Sequence, residues 1–246
     1  LIFSFAKRDI KAKYAQSILG IAWSLIQPAF ALLIFWVFFD LLIEINTGDI
    51  AYPLFAFSGM VMWYAFSSMV HQGGNTLIEN QDLIKKIYFP KLILPLSRSL
   101  GSMFDLGISL IALLIVMIVF QQPIGLKTLL IPVPIILLLI TAFTASIWLN
   151  VLTVKRRDLQ HVIPYLINYG IWLTPVFYPT TIVPEAYREY IYYFNPVATA
   201  IELFRACLFD QAFNMTYLIS FAPIFVFLVI GLILFKNRER NMADFL

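Results

Sequence analysis

The chain has 246 residues, 61% of them hydrophobic, 16% aromatic and 13% charged, with a net charge of +3 and a mean hydropathy of +0.85. Soluble domains carry about 25% charged residues, so there are too few polar side chains here to coat a water-soluble body of this size. Cys207 is the single cysteine, which excludes a disulfide-stapled secreted scaffold. In the opening stretch LIFSFAKRDIKAKY the charges follow a short apolar patch. A secretory signal has the opposite order, so no removable targeting segment is expected there. Phe3, Ala6, Ile10, Tyr14 and Ile18 recur at helical spacing, with Lys7, Arg8, Lys11 and Lys13 on the other side. That pattern predicts an amphipathic helix lying in the membrane interface over 1–17. It is either a simple anchor for the first span or a docking element for a partner.

A membrane-crossing helix needs about 20 apolar residues. Six charge-poor stretches are long enough: 14–39, 50–78, 99–126, 128–154, 159–184 and 211–235. They lack period-two alternation, which favours helices over barrel strands. The fold class that follows is an all-α integral membrane protein with six transmembrane helices. No repeat or low-complexity linker divides it, so 1–246 reads as one domain.

An even number of spans puts both chain ends on one side, and the basic residues say which. Lys7, Arg8, Lys11 and Lys13 precede the first span, and Lys85, Lys86, Lys91 and Arg98 follow the second. Lys155, Arg156 and Arg157 follow the fourth, and Lys236, Arg238 and Arg240 follow the sixth. Of the 17 basic residues only Lys127, Arg188 and Arg205 fall on the other side. Both ends are therefore expected in the cytoplasm. The loop over 80–91 is polar, then basic, then proline-broken. Asn80 or Asp82 can cap a short helix through Lys86, with Pro90 stopping it, as a handle for a soluble protein or as an ordinary solvated turn. The long outer connection over 180–211 holds PEAYREYIYYF and NPVATAIELFRACLFD. Asn195 is a good N-cap with Pro196 at the first helical position, so two short helices are expected outside or dipping into the outer leaflet. Glu202 and Arg205, three apart, read as an ion pair on the second of them.

Asp105 lies inside the third stretch, and an ionisable residue at membrane depth is a functional candidate by default. Arg98 stands two turns earlier, about 10 Å back along the same helix face, which allows an ion pair between the two. The other structural reading is an Asp facing an aqueous cavity. A proton relay would need further acids at similar depth, and the other stretches offer none. His71 and His161 are isolated and read as neither metal ligands nor acid–base groups. Phe35, Trp36, Trp63, Tyr64, Trp148, Tyr169, Trp172 and Tyr178 are candidate channel aromatics, because the C–H edges of sugars stack on π faces. Interfacial belt or core packing is the alternative for each. No G-x-x-x-x-G-K-[ST] phosphate cradle occurs, nor any catalytic constellation or metal-ligand cluster.

Four stretches carry more than these local signals: RDIKAKYAQSILGIAWSLIQP, NQDLIKKIYFPKLILPLS, RDLQHVIPYLINYGIWLTPVFYP and NPVATAIELFRACLF. In that order they resemble the permease subunits of ABC exporters for O-antigen and teichoic-acid polysaccharides. The agreement falls at Arg8, Asp9, Lys11, Tyr14, Ser17, Leu19, Gly20, Trp23 and Pro28, and at Asn80, Leu83, Ile84, Lys85, Lys86, Phe89, Pro90 and Pro95. It continues at Arg157, Asp158, Pro175, Val176, Tyr178 and Pro179, then at Asn195, Pro196 and Arg205. The family more often has Ser where this chain has Thr174, which keeps the hydroxyl. The resemblance implies a channel made of two copies, each contacting a separate ATPase subunit that carries the ATP and Mg, with no cofactor on this chain and no nucleic-acid partner. It implies that the first helix and the loop over 80–91 couple to that ATPase, and that the two outer helices close the channel. Its cargo would be a polyprenyl-pyrophosphate-linked polysaccharide crossing the bacterial inner membrane. Arg8, Lys11, Lys13, Lys85 and Lys86 suit cationic capture of a pyrophosphate, although sidedness alone would also put them there. A related ABC permease for a drug, lipid or ion is one alternative. A proton-coupled transporter using Asp105 is another.

Overall fold

The computed structural model describes residues 2–14, 22–87, 89–154, 156 and 158–239, with backbone alone at 23–25 and 27. The described residues form helices and turns without a strand. The first helix, α1, is Ile2–Tyr14. Ala6 is buried and Lys7, Arg8, Lys11 and Lys13 are exposed. Phe3, expected on the apolar side, is 80% exposed. Ala6, Ile10 and Tyr14 of that side are buried or half-buried as expected, and at the start of the helix Phe5 makes the contact in place of Phe3, its ring stacked on Phe89 at 6.0 Å. Ile18 and the end of the expected 1–17 helix lie outside the described residues.

The next helix, α2, is Trp23–Phe35 and runs on as a π-helical segment, Trp36–Leu42. The start of the expected first span also lies outside the described residues. After a short loop come α3 (Tyr52–Gly74), α4 (Thr76–Glu79) and α5 (Gln81–Lys86). Then follow α6 (Ile93–Val119), a 3-10 turn Leu126–Leu130, and α7 (Pro132–Thr153). Among the described residues four helices are long and apolar enough to cross a bilayer: Tyr52–Gly74, Ile93–Val119, Leu126–Thr153 and Met215–Arg238.

The expected fifth span, 159–184, is not one helix. Its helical part, α8, is Leu159–Leu173, 15 residues or about 22 Å. Thr174 stands before Pro175, where the proline ring disfavours helical backbone, and it takes φ −107°, ψ 132°. The chain then passes through a 3-10 turn, Thr180–Ile182, into α9 (Glu185–Phe194) and α10 (Pro196–Leu208). A second 3-10 turn, Met215–Phe221, leads to α11, Ala222–Arg238.

The core is built around α3. Leu54, Phe57, Met60, Val61, Met62 and Trp63 are buried on several of its sides, among Leu106, Leu113 and Met117 of α6, Leu138 of α7 and Ile201 and Phe204 of α10. Ala56, Gly59, Ala65 and Gly73 keep α3 thin enough to be surrounded, since without a solvent-driven hydrophobic force membrane helices associate by close packing at small residues. The outer faces of α6 and α11 stay apolar and exposed, through Ile111, Ile115, Ile118, Val226, Val229 and Ile233. These are lipid-facing surfaces.

Candidate functional site

At the basic end of the bundle, α1 lies along α6 and is stitched to it at two levels. Asp9 forms an ion pair with Arg98 at 3.3 Å, and Arg98 donates to Glu79 of α4 at 3.0 Å. Arg8 binds Asp9 at 2.9 Å and the Asn80 side-chain oxygen at 3.4 Å. Further along, Lys13 and Tyr14 both donate to the Asp105 carboxylate. Arg98 and Asp105 thus do not pair with each other as their spacing allowed. The approach of α1 gives each a nearer partner, and Asp105 is the seat of a lysine ion pair. A cavity of about 370 Å³ remains between these helices, lined by Asp9, Lys13, Gln72, Glu79, Arg98 and Asp105.

The loop over 80–91 sits beside this joint. Asn80 does not cap α5 with its side chain; its amide donates back to the Thr76 carbonyl at 2.8 Å. Ile84 is buried beneath α5, which turns Lys85 and Lys86 outward into solvent; Lys11 of α1 is exposed as well. Phe89 is half-buried against Phe5 and Pro90 is exposed. Lys91 donates through both its backbone and its ammonium to Glu239, just past α11. This anchorage was not read from the sequence, where Glu239 is one acid in a basic tail.

The candidate channel aromatics divide into two groups. Phe35 stacks on Phe177 at 3.7 Å, and Trp63 is buried against Phe66, with Gly170 clearing space for its ring. Trp148 donates to the Phe227 carbonyl at 2.9 Å. These three make packing contacts between segments of the chain itself. Trp36, Tyr64, Tyr169 and Trp172 are exposed. Tyr178 lies between, its hydroxyl on the Trp172 carbonyl at 2.8 Å. Trp63 and Trp148 also flank an apolar slot of about 430 Å³ between α3, α7 and α8.

At the opposite end Asn195 links two segments. Its Oδ1 accepts from the Val197 and Ala198 amides at 3.1 Å, capping α10 ahead of Pro196, while its Nδ2 donates to Thr174 Oγ1 at 2.9 Å. Arg205 was read as the ion-pair partner of Glu202, and the structure corrects this. Its side chain turns inward, 2% exposed. It donates to the Pro175 carbonyl at 2.8 Å, the Phe55 carbonyl at 3.0 Å and the Val176 carbonyl at 2.7 Å. Its guanidinium lies 3.6 Å over the Phe55 ring. Burial draws its pKa down to about 10, which leaves it charged at neutral pH. The proline-broken segment after α8 presents carbonyls that no helix satisfies, and a buried cation with several donors meets that need where Glu202 does not. Glu202 instead lines a cavity of about 670 Å³ with Glu185, Arg188, Glu189 and Tyr192. Burial pushes the Tyr192 phenol above its ordinary range.

The sequence profile of the ABC-2 type transporter family matches residues 1–209. Among curated proteins, the chain is 27% identical to the O-antigen export system permease protein RfbA of Myxococcus xanthus, over 99% of this chain and 94% of the other. An RfbA permease of Klebsiella pneumoniae is also 27% identical, over 100% of this chain and 95% of its own length. The polysialic acid transport protein KpsM of Escherichia coli is 23% identical, over 96% of this chain and 92% of its own.

Proposed function

The chain belongs to the ABC-2 type transporter family, and from that premise we propose that two copies of it form the channel of an ATP-driven polysaccharide exporter. The observation that carries this reading is that the likeness to O-antigen permeases runs the whole length of the chain, through the ion-paired joint and the Asn195 turn alike. The cargo is a polysaccharide on a polyprenyl-pyrophosphate lipid, moved outward across the bacterial inner membrane through six spans per copy. Both chain ends face the cytoplasm, where the basic residues gather.

Two ATPase subunits, holding ATP and Mg, dock on α1, α4 and α5. The exposed Lys85 and Lys86 are the contact, and the Asp9–Arg98–Glu79 and Lys13–Asp105 pairs carry movement from α1 and α4 into α6. Lys11 and the same lysines attract the pyrophosphate, a charge-assisted interaction. The exposed Trp36, Tyr64, Tyr169 and Trp172 provide sliding surfaces for sugar rings, and α9 and α10, held by Arg205, close the outer end. The test is co-reconstitution with the partner ATPase in lipid vesicles, followed by ATP-dependent loss of lipid-linked glycan from the donor leaflet. Loss that persists without ATP, or its absence with an active ATPase, refutes the reading.

A further inference from the structure

Between the end of α3 at Gly74 and the start of α4 at Thr76, Asn75 sits at φ −100°, ψ 0°. In an unbroken helix the Leu77 N–H would bind the Gly73 carbonyl, four residues earlier. Here the carboxamide of Asn150, from α7, takes both ends of that rung. Its Nδ2 donates to the Gly73 carbonyl at 2.6 Å, and its Oδ1 accepts from the Leu77 amide at 3.3 Å. A further Nδ2 hydrogen bond to the Ser146 carbonyl at 2.9 Å fixes the side chain's direction, and Asn150 is fully buried. A side chain inserted into the helical ladder is a direct cause of a sharp bend. The two helices also fit closely: a β-carbon on Gly73 would come 2.3 Å from Ser146 Oγ, and one on Gly74 would come 2.9 Å from Leu149.

A second observation is independent of the first. Asn75 Oδ1, Thr76 Oγ1 and Ser146 Oγ are buried and have no hydrogen-bond partner. Buried polar atoms are nearly always paired, so three unpaired oxygens around one bend mark a conformation held away from its best hydrogen bonding. Their desolvation raises the free energy of the bent state toward that of a straight one, where Leu77 N–H closes on the Gly73 carbonyl.

We propose that Asn150 is the positioning residue of a two-state joint. With the carboxamide inserted, α3 and α4 are bent. With it withdrawn, the helices fuse, and α4 and α5 swing relative to α3, carrying Lys85 and Lys86. The inference rests on the transport reading for its purpose, which is to turn a push on α5 into motion of the central helix.

Spin labels on Lys86→Cys and on Met103→Cys, an exposed position of α6, in a Cys207→Ala background, report the joint in vesicles. Asn150→Leu fills the space without bridging the rung. It is expected to shift the label distance without nucleotide, and an unchanged distance distribution overturns the proposal. Thr76→Val keeps the shape and removes a buried oxygen that has no partner in the bent state. It is expected to raise the unfolding midpoint and to slow ATP-dependent export about tenfold, from the desolvation penalty of one buried unpaired hydroxyl. A wild-type midpoint or a wild-type export rate in Thr76→Val overturns the proposal even if Asn150→Leu fails to fold. If the unsubstituted protein moves no glycan, the transport reading fails while the label distances still report the joint.

Discussion

Gly59→Ala tests the reading that Arg205 is locked in place. A β-carbon at Gly59 comes 2.5 Å from Arg205 Nη2 and 2.7 Å from the Val176 carbonyl oxygen. Neither can retreat: the guanidinium is fixed by carbonyls on two segments, and the oxygen belongs to backbone that it holds. Overpacking of a well-filled core costs about 1–3 kcal/mol. Displacing the guanidinium forfeits charge-assisted hydrogen bonds worth about 1.5–3 kcal/mol. Alanine returns up to about 1 kcal/mol of helix propensity. The net loss is about 3 kcal/mol, which lowers the unfolding midpoint of a chain of this size by about 6–12 °C. The single thiol, Cys207, is buried two residues along α10 from Arg205, and burial raises its pKa. A thiol-reactive dye therefore reports the unfolding of this region directly. Gly107→Ala is the control, because no atom lies within 4 Å of a β-carbon there, and its midpoint should rise by about 2–4 °C. A Gly59→Ala midpoint at or above the wild-type value refutes the argument that the guanidinium is immobile.

Reversing one charge with Lys13→Glu should abolish ATP-dependent export, and adding Asp105→Lys should restore part of it; export that survives the single change removes the joint from the coupling path. Lys85→Ala combined with Lys86→Ala should leave the midpoint unchanged, since both side chains are exposed, while stimulation of the partner ATPase is lost. Wild-type stimulation in that variant contradicts the docking assignment. Asn195→Ala removes the cap of α10 and the link to Thr174, at a cost of about 1–2 kcal/mol, whereas Thr174→Ser keeps the hydroxyl and should melt within a degree or two of wild type. Dye-monitored melting reads both.

The long apolar stretches were legible because charges are absent over lengths that only a bilayer rewards, and α3, α6, α7 and the last helix fall on them. The ladder of Asn195, Pro196 and Val197 was legible because capping is a local matter. The break after α8 is also local, a proline effect at Thr174–Pro175, but it was hidden inside a stretch judged by charge alone. Other contacts depend on how helices meet. Asp105 pairs with Lys13, 92 residues away, and nothing in the spacing along α6 favours that lysine over Arg98. Arg205 binds carbonyls 30 and 150 residues distant. The one sequence signal for it was Gly59, one of several small residues on α3, whose meaning depends on what lies opposite. Aromatic rings carry no mark that separates a surface from a gap, so Trp63 and Tyr64, neighbours in sequence, were read alike and point to different surroundings.

Phe5 and Glu239 converge on the short connection between α5 and α6, one through Phe89 and the other through Lys91. The first of these precedes the connection in the chain and the second follows it by 148 residues. Since synthesis proceeds from the N-terminal end, Glu239 reaches Lys91 only after every preceding helix has emerged. A nascent chain therefore lacks the final anchorage of this connection until α11 has been made, and a chain stopped short of α11 presents a looser surface there than one that has passed it.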